Sequence, residues 1–273
     1  MPFRFALCSE IYQTSIDETI RRGAEIGFDG IEIAPFNMAE SVDEVPVGRR
    51  KAVRRLADDL GIEIIGLHWL LVSPKGLHLT TPDPVVRQRT IDYLQSLANF
   101  CADLGGKFMV LGSPRQRNVL VGDDPVEAKE RAADGLREVA EVCRERGVRL
   151  LLEPLTPAET NFLQTVEEAK ALAERIHHPS VGYILDCKAM SSMPGGIVGT
   201  ILEHGGASGH FHANEPSGLG PGMGKLDFRP ILAALKKSGY QGWVSTEPFQ
   251  YAPDSDTVAR TALRTLRAAK RAK

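Results

Sequence analysis

The stretch VRLLLEPL, residues 148–155, begins with a short apolar run, and this run, residues 148–153, ends in a carboxylate, Glu153. A run of this kind is typical of a parallel strand that is buried on both faces. The sequence just before it, DPVEAKERAADGLREVAEVCRERG, residues 124–147, has the pattern of an amphipathic helix. That helix opens with Asp-Pro, a capping residue followed by proline, and it ends at a glycine. The stretch therefore predicts one repeat of an alternating α/β fold.

The same alternation recurs along the chain of 273 residues. Seven further apolar runs predict strands, at residues 3–8, 30–34, 63–69, 107–112, 181–186, 209–214 and 242–247. Strands that alternate with helices imply a parallel sheet, and eight units fit a single (β/α)₈ TIM barrel over residues 1–273. The alternative is an open doubly wound sheet, which would need a glycine-rich loop after the first strand, where the sequence reads CSEIYQTS.

The composition gives no sign of a protein that binds nucleic acid or membrane. Hydrophobic residues make up 42% of the chain, charged residues 25%, and the formal net charge is −2, which gives no basic footprint for nucleic acid. No stretch approaches the ~20 apolar residues of a membrane helix, and the first residues lack the features of a signal peptide. The four cysteines form no CxxC pair. We therefore expect a cytoplasmic protein that binds neither nucleic acid nor membrane.

Four consecutive predicted strands carry a polar residue at or near their ends. Successive residues of this set are 33, 26 and 35 positions apart, one βα unit each, and they are Glu153, Asp186, His212 and Glu247. Because a (β/α)₈ barrel has its active site at the C-terminal ends of its strands, these side chains should meet at one rim. Three carboxylates and an imidazole suit one divalent cation, for which we expect Mn²⁺, with Mg²⁺, Co²⁺ or Zn²⁺ as alternatives. A single acid at a strand end is often only a helix cap, but four in register are hard to assign to chance.

The seventh strand, GHFHAN, carries two histidines on the same face. His212 is the preferred ligand because it lies next to the loop that follows the strand. His210 would lie about 7 Å deeper in the barrel, and we expect it to be a hydrogen-bonded interior residue.

These segments resemble the xylose isomerase-like superfamily of sugar isomerases and epimerases, and within it the D-tagatose and D-psicose 3-epimerases. LEPLTPAETNFLQT, residues 152–165, is similar to their strand-5 segment, and LDC, HANE, PGMGKLDF and STEPF are similar to four further segments. The resemblance implies a cation-dependent isomerase or epimerase that moves a proton through an enediolate. In that mechanism the two catalytic acid–base groups, which also bind the cation, are Glu153 and Glu247.

The resemblance also implies residues that face the substrate. Glu159 matches a substrate-binding glutamate, and GLHWLL, residues 66–71, matches a strand-3 end at which His68 and Trp69 face the pocket. His68 would hydrogen-bond a sugar hydroxyl and Trp69 would form an apolar wall, although both could instead only pack. Two positions depart from the ketose 3-epimerases: Ala189 replaces a substrate-binding histidine and Gly218 replaces a substrate-binding arginine.

Further candidates come from the residues alone. Lys188 could reach an anionic substrate, or be a solvated surface lysine. Arg115 and Arg117 follow strand 4 on the same rim and could grip a phosphate or carboxylate, or lie in a solvated loop. Glu10 and Glu32 end or line strands 1 and 2, and Glu32 is a further candidate for the pocket.

Three other functions share the predicted barrel. A lyase of the inosose dehydratase type would use the same cation to remove water. An endonuclease IV-like enzyme would need more histidine ligands, where this chain has Ser113 and Ala189. A non-catalytic binding barrel would not need the full set of Glu, Asp, His and Glu. The partner that we expect is a small sugar or sugar derivative, in a chain that could also form homo-oligomers.

Overall fold

The computed structural model describes residues 3–272, in which eight parallel strands close into a barrel in sequence order. The strands are β1 (Arg4–Cys8), β2 (Gly30–Ile33), β3 (Glu63–Leu67), β4 (Phe108–Leu111), β5 (Arg149–Leu152), β6 (Val181–Asp186), β7 (His210–Ala213) and β8 (Trp243–Thr246). The pairing of β1 with β8 closes the ring. The (β/α)₈ barrel is thus confirmed, and every predicted strand is present, with its ends trimmed by no more than two residues.

The helices pack around the barrel. Nine α-helices lie within residues 3–272: α1 (Ile16–Ile26), α2 (Val47–Leu60), α3 (Pro84–Leu104), α4 (Pro125–Arg146), α5 (Val166–Ile176), α6 (Cys187–Met190), α7 (Gly196–His204), α8 (Phe228–Lys237) and α9 (Ser255–Arg271). None of these helices has both the length and the apolar character that crossing a bilayer requires. The Asp-Pro signals mark helix starts as predicted, since the side chain of Asp124 accepts hydrogen bonds from the amides of Val126 and Glu127.

The strands place polar residues above an apolar floor. Side chains two positions apart on a strand share one face. Leu151 and Ile184 belong to a small buried cluster inside the barrel, and Glu153 and Asp186 follow them on the same face, one layer nearer the rim. The larger core lies between the strands and the helices and includes Phe5, Leu150 and Leu185. Because side chains alternate between the two faces of each strand, the rim residues point into the mouth of the barrel.

Candidate metal centre

The four rim residues meet at the C-terminal end of the barrel. Each offers one ligand atom, and these atoms all lie within 4.8 Å of one another in the group Glu153, Asp186, His212 and Glu247. Nδ1 of His212 lies 3.0 Å from Oε1 of Glu153 and 3.1 Å from Oε2 of Glu247. All four residues are buried. The spacing along the sequence thus predicted which side chains would come together.

Asp186 is held by hydrogen bonds to both of its carboxylate oxygens. Its Oδ1 accepts from the amide of Ala189 at 2.7 Å and also caps α6. Its Oδ2 accepts from Nδ2 of Asn214 at 2.7 Å. Asn214 follows β7 directly, two residues after His212, so neighbouring strands fix the orientation of this carboxylate.

Glu153 depends on a glycine that directly follows the adjacent strand, β4. Its amide donates to the carbonyl of Leu111 at 3.3 Å, which extends the β4–β5 ladder by one residue. Gly112 follows Leu111, and a Cβ atom added to it would lie only 1.7 Å from Oε2 of Glu153. No side chain fits at this position while the carboxylate keeps its place.

The side chains of the rim do not balance the negative charge of their own three carboxylates. Burial, and then repulsion from Glu153, raise the pKa of Asp186 to about 7. Burial likewise raises the pKa of Glu247 to about 8, with Glu153 adding repulsion and His212 opposing the shift. Three carboxylates in such a small buried space therefore favour proton uptake unless another positive charge joins them.

The donor set fits a divalent cation. Carboxylate oxygens are the ligands that Mg²⁺ and Mn²⁺ prefer, and an imidazole nitrogen extends the range towards Co²⁺ and Zn²⁺. A cation would stabilise the ionised forms of Asp186 and Glu247, whose pKa values burial and the charge of Glu153 raise. Both the proximity of these donors and their buried charge thus suit such an ion.

A fully buried carboxylate lies beneath His212. Glu32 of β2 is 2.8 Å from Nε2 of His210 and accepts a hydrogen bond from Oγ of Ser245 at 2.7 Å. Burial would raise the pKa of Glu32, but the charges and hydrogen bonds of His210 and His212 outweigh it and hold the pKa well below its usual value. The expectation that His210 is a hydrogen-bonded interior residue is confirmed.

A pocket opens beside the carboxylates. The polar lining comprises Glu153, Glu159, Asp186, Lys188 and Glu247, and the remaining walls are Trp69, Gly112, Pro114, Leu155 and Phe249. The pocket thus combines a charged floor with aromatic and aliphatic walls, as a sugar with its polar hydroxyls and apolar C–H faces requires.

Two oppositely charged side chains face each other in this pocket. Glu159 accepts hydrogen bonds from the amide and the hydroxyl of Thr156, at 3.2 and 2.7 Å, and it pairs with the ammonium of Lys188. Burial would raise the pKa of Glu159, but the hydrogen bonds from Lys188 and Thr156 hold it below its usual value. Nζ of Lys188 also lies 5.0 Å from the centre of the Phe249 ring. Lys188 therefore lines the pocket, and its contact with an anionic substrate stays a prediction.

The strand-3 end brings His68 and Trp69 to the same region. Trp69 lines the pocket, packs edge-on against Phe249 with 6.2 Å between ring centres, and has a φ of +54°, which is uncommon for a bulky residue. His68 is buried, and its Nε2 lies 2.5 Å from Oε2 of Glu10. The contact of Trp69 with substrate, and that of His68, stay predictions.

The two arginines after β4 have different environments. Arg115 is exposed. Arg117 is completely buried and donates from Nη1 to the carbonyl of Leu111 at 2.9 Å, while Nε and Nη2 have no partner within the described residues. Burial lowers the pKa of Arg117 to about 10, against the opposing charges of Glu153 and Glu159. Contact of either arginine with an anionic substrate stays a prediction.

Several residues of the site escaped the sequence analysis. Gly112 and Asn214 carry no charge, so only their position directly after a strand could have identified them as residues of the site. Glu10 was noted only as the end of strand 1, and its pairing with His68 joins residues 58 positions apart. Phe249 lies two residues after Glu247, and its aromatic character alone does not show where the side chain points.

Comparison with known proteins gives the family. The family model described as "Xylose isomerase-like TIM barrel" matches residues 20–269. A probable ketose 3-epimerase of Synechocystis sp. is 26% identical over 88% of this chain and 86% of its own length. An L-ribulose 3-epimerase of Mesorhizobium japonicum is 29% identical over 87% of this chain and 76% of its own length.

A solved structure shows the same fold. The D-psicose 3-epimerase from Clostridium cellulolyticum H10, determined with D-tagatose, superimposes with a TM-score of 0.85 at 22% identity. The match covers 99% of this chain and all of the other. At this level of identity the likeness concerns the arrangement of the barrel.

The contact between Gly112 and Glu153 gives a first prediction. Replacing Gly112 by alanine should weaken Mn²⁺ binding by at least about tenfold, because the new Cβ displaces a ligand carboxylate. Isothermal titration calorimetry measures the affinity. Gly48→Ala is the matched control, since a Cβ at Gly48 meets nothing within 4 Å. Equal Mn²⁺ affinity in the two variants would contradict the assigned ligand.

The raised carboxyl pKa values give a second prediction. A folded acid whose pKa exceeds its unfolded value holds protons that the unfolded chain has released, so Asp186 and Glu247 destabilise the cation-free protein as the pH rises from about 4 to about 8. A bound cation stabilises the ionised carboxylates and so removes this loss of stability. It also competes with the protons that Asp186 and Glu247 bind at lower pH. The increase in melting temperature that saturating Mn²⁺ causes should therefore be larger at pH 8 than at pH 5.5. Thermal unfolding with Mn²⁺ and with EDTA measures both shifts, and equal shifts at the two pH values would argue against cation binding by these carboxylates.

Proposed function

This chain belongs to the xylose isomerase-like TIM barrel family, and we propose that it is a divalent-cation-dependent sugar isomerase or epimerase. One observation carries this proposal: three buried carboxylates and an imidazole offer ligand atoms that lie within 4.8 Å of one another, beside a pocket with polar and aromatic walls. The names of its curated relatives, which include a probable ketose 3-epimerase and an L-ribulose 3-epimerase, support the same class of reaction.

The rim residues would hold the cation through three carboxylates and Nδ1 of His212. When bound, the cation supplies a Lewis acid for the oxygens of an α-hydroxy carbonyl compound. The ligands sit on or next to rigid strands, and Asp186 has hydrogen bonds at both oxygens. Such a preorganised set lets the carbonyl carbon and its neighbour bind in one orientation.

Glu153 and Glu247 are the proposed acid–base pair. They follow β5 and β8, the two ends of an arc of four neighbouring strands, and each lies about 3 Å from Nδ1 of His212. A substrate held between them presents one face to each carboxyl group. One group removes the proton from the carbon next to the carbonyl, and the other returns a proton to the opposite face. This sequence inverts the carbon, which is the outcome of an epimerase.

The pocket favours a neutral polyhydroxylated substrate. Lys188 supplies its only ammonium group among the lining residues, and Glu159 already neutralises that charge. The pair can donate to one hydroxyl oxygen and accept from another. Trp69 and Phe249 supply aromatic walls for the C–H faces of the sugar. Because Ala189 and Gly218 depart from the ketose 3-epimerases, we assign recognition of the substrate hydroxyls at this end to Lys188 and Glu159.

The reaction class can be tested directly in deuterated water. Purified protein with Mn²⁺ is incubated with a panel of ketoses, aldoses, keto-inositols and acidic sugars. We expect deuterium at one carbon of a neutral sugar whose molecular formula is otherwise unchanged, and loss of activity with EDTA. Release of water would instead identify a lyase of the inosose dehydratase type, and tight binding without turnover would identify a binding barrel.

Glu247→Gln tests the acid–base role. The amide cannot take up or release the proton, so we expect kcat to fall by about 10²–10⁴-fold, with the circular dichroism spectrum unchanged. Glu138→Gln is the control, because Glu138 is an exposed residue of α4. Turnover by Glu247→Gln within tenfold of the unmodified protein would remove Glu247 from the mechanism.

A further inference from the structure

The inward face of β2 carries a charge at a place where barrels usually have apolar residues. Glu32 is completely buried, although a small apolar cluster that includes Ala6 and Ile184 also lies inside the barrel. Interior layers of such barrels are mostly filled by branched apolar side chains. A buried carboxylate costs free energy unless donors surround it. Its presence there therefore calls for an explanation beyond packing.

Four side chains from three other strands surround this carboxylate. Oε2 of Glu32 lies 2.8 Å from Nε2 of His210 and accepts from Oγ of Ser245 at 2.7 Å. Its Oε1 lies 3.3 Å from Nε2 of His212. Sγ of Cys8 is further away, at 3.9 Å from Oε2. Glu32 thus connects β1, β7 and β8 at the centre of the barrel.

The two nitrogens of His212 face different partners. Nδ1 faces the ligand carboxylates Glu153 and Glu247, whereas Nε2 faces Glu32. Ionised carboxylates can only accept hydrogen bonds, so each nitrogen of His212 faces groups that favour a proton on it. A cation bound by Glu153 and Glu247 would replace the proton on Nδ1, whereas Glu32 would still accept the hydrogen bond from Nε2. With the proton on Nε2, a neutral imidazole has its lone pair on Nδ1, which is the nitrogen directed at the cation site.

We propose that Glu32 is a positioning residue of the metal centre, which holds His212 as the Nε2–H tautomer and directs the lone pair of Nδ1 at the cation. The inference rests on the proposed function, since the cation is the ligand that this lone pair would bind. Glu32 belongs neither to the group of four rim residues nor to the lining of the pocket. It acts through one ligand, and its negative charge also makes that imidazole a stronger donor to the metal.

The test compares two variants that each change one group of this network. Glu32→Gln keeps the shape of the side chain but removes its charge and lets a donor face His212. Ser245→Ala removes one hydrogen bond to the same carboxylate and keeps the charge. We expect Glu32→Gln to bind Mn²⁺ about 10–100-fold more weakly than the unmodified protein, and Ser245→Ala to remain within about threefold. Titration calorimetry of the metal-free full chain gives the affinities, and urea unfolding reports any general loss of stability.

A spectroscopic measurement on the unmodified protein keeps the inference testable if Glu32→Gln does not fold. Nitrogen-15 NMR of the imidazoles, with diamagnetic Zn²⁺ bound, distinguishes the two tautomers of His212. The proposal expects the proton on Nε2 and the metal on Nδ1.

The outcomes separate this inference from the proposed function. If the unmodified protein binds no divalent cation, the metal centre itself is wrong. If it binds Mn²⁺ but Glu32→Gln binds equally well, or if His212 carries its proton on Nδ1, the role of Glu32 alone is overturned. Weaker binding by Glu32→Gln than by Ser245→Ala, at comparable stability, supports it.

Discussion

The repulsion among three buried carboxylates is the constraint on which the rest of this site depends. Glu153, Asp186 and Glu247 lie together where water cannot screen their charges. Burial first, and then repulsion from Glu153, raise the pKa values of Asp186 and Glu247. A protein gains nothing in stability from such an arrangement. A divalent cation would turn the same repulsion into binding energy, which would account for the close approach of these side chains.

The surrounding structure serves to keep the carboxylates in place. Gly112 leaves room for Glu153, and Asn214 holds one oxygen of Asp186. Glu32 occupies the layer below and contacts His212 from the side away from the rim. These supporting groups lie on or next to strands, whose ladders limit their movement. The substrate contacts that we propose instead come from the segments that follow β5 and β6, from Glu159 and from Lys188 of α6, so the metal centre and the specificity could vary separately.

The sequence predicted the barrel and the rim because both depend on local signals. Apolar runs, Asp-Pro helix starts and glycine helix ends mark each unit, and counting one unit per strand brings Glu153 and His212 to one end. The support beneath the rim depends on contacts between distant parts of the chain. Glu32 meets His210 across 178 positions, and Arg117 is buried although its sequence context predicts only a loop at the rim. Spacing shows which strand carries a residue, but not what it meets across the barrel.

Anomalous diffraction from crystals grown with Mn²⁺ would test the central claim most directly. We expect one strong anomalous peak per chain, at coordinating distance from Nδ1 of His212 and from carboxylate oxygens of Glu153, Asp186 and Glu247. A peak elsewhere, several peaks that require additional protein ligands, or coordination through Nε2 of His212 would contradict it.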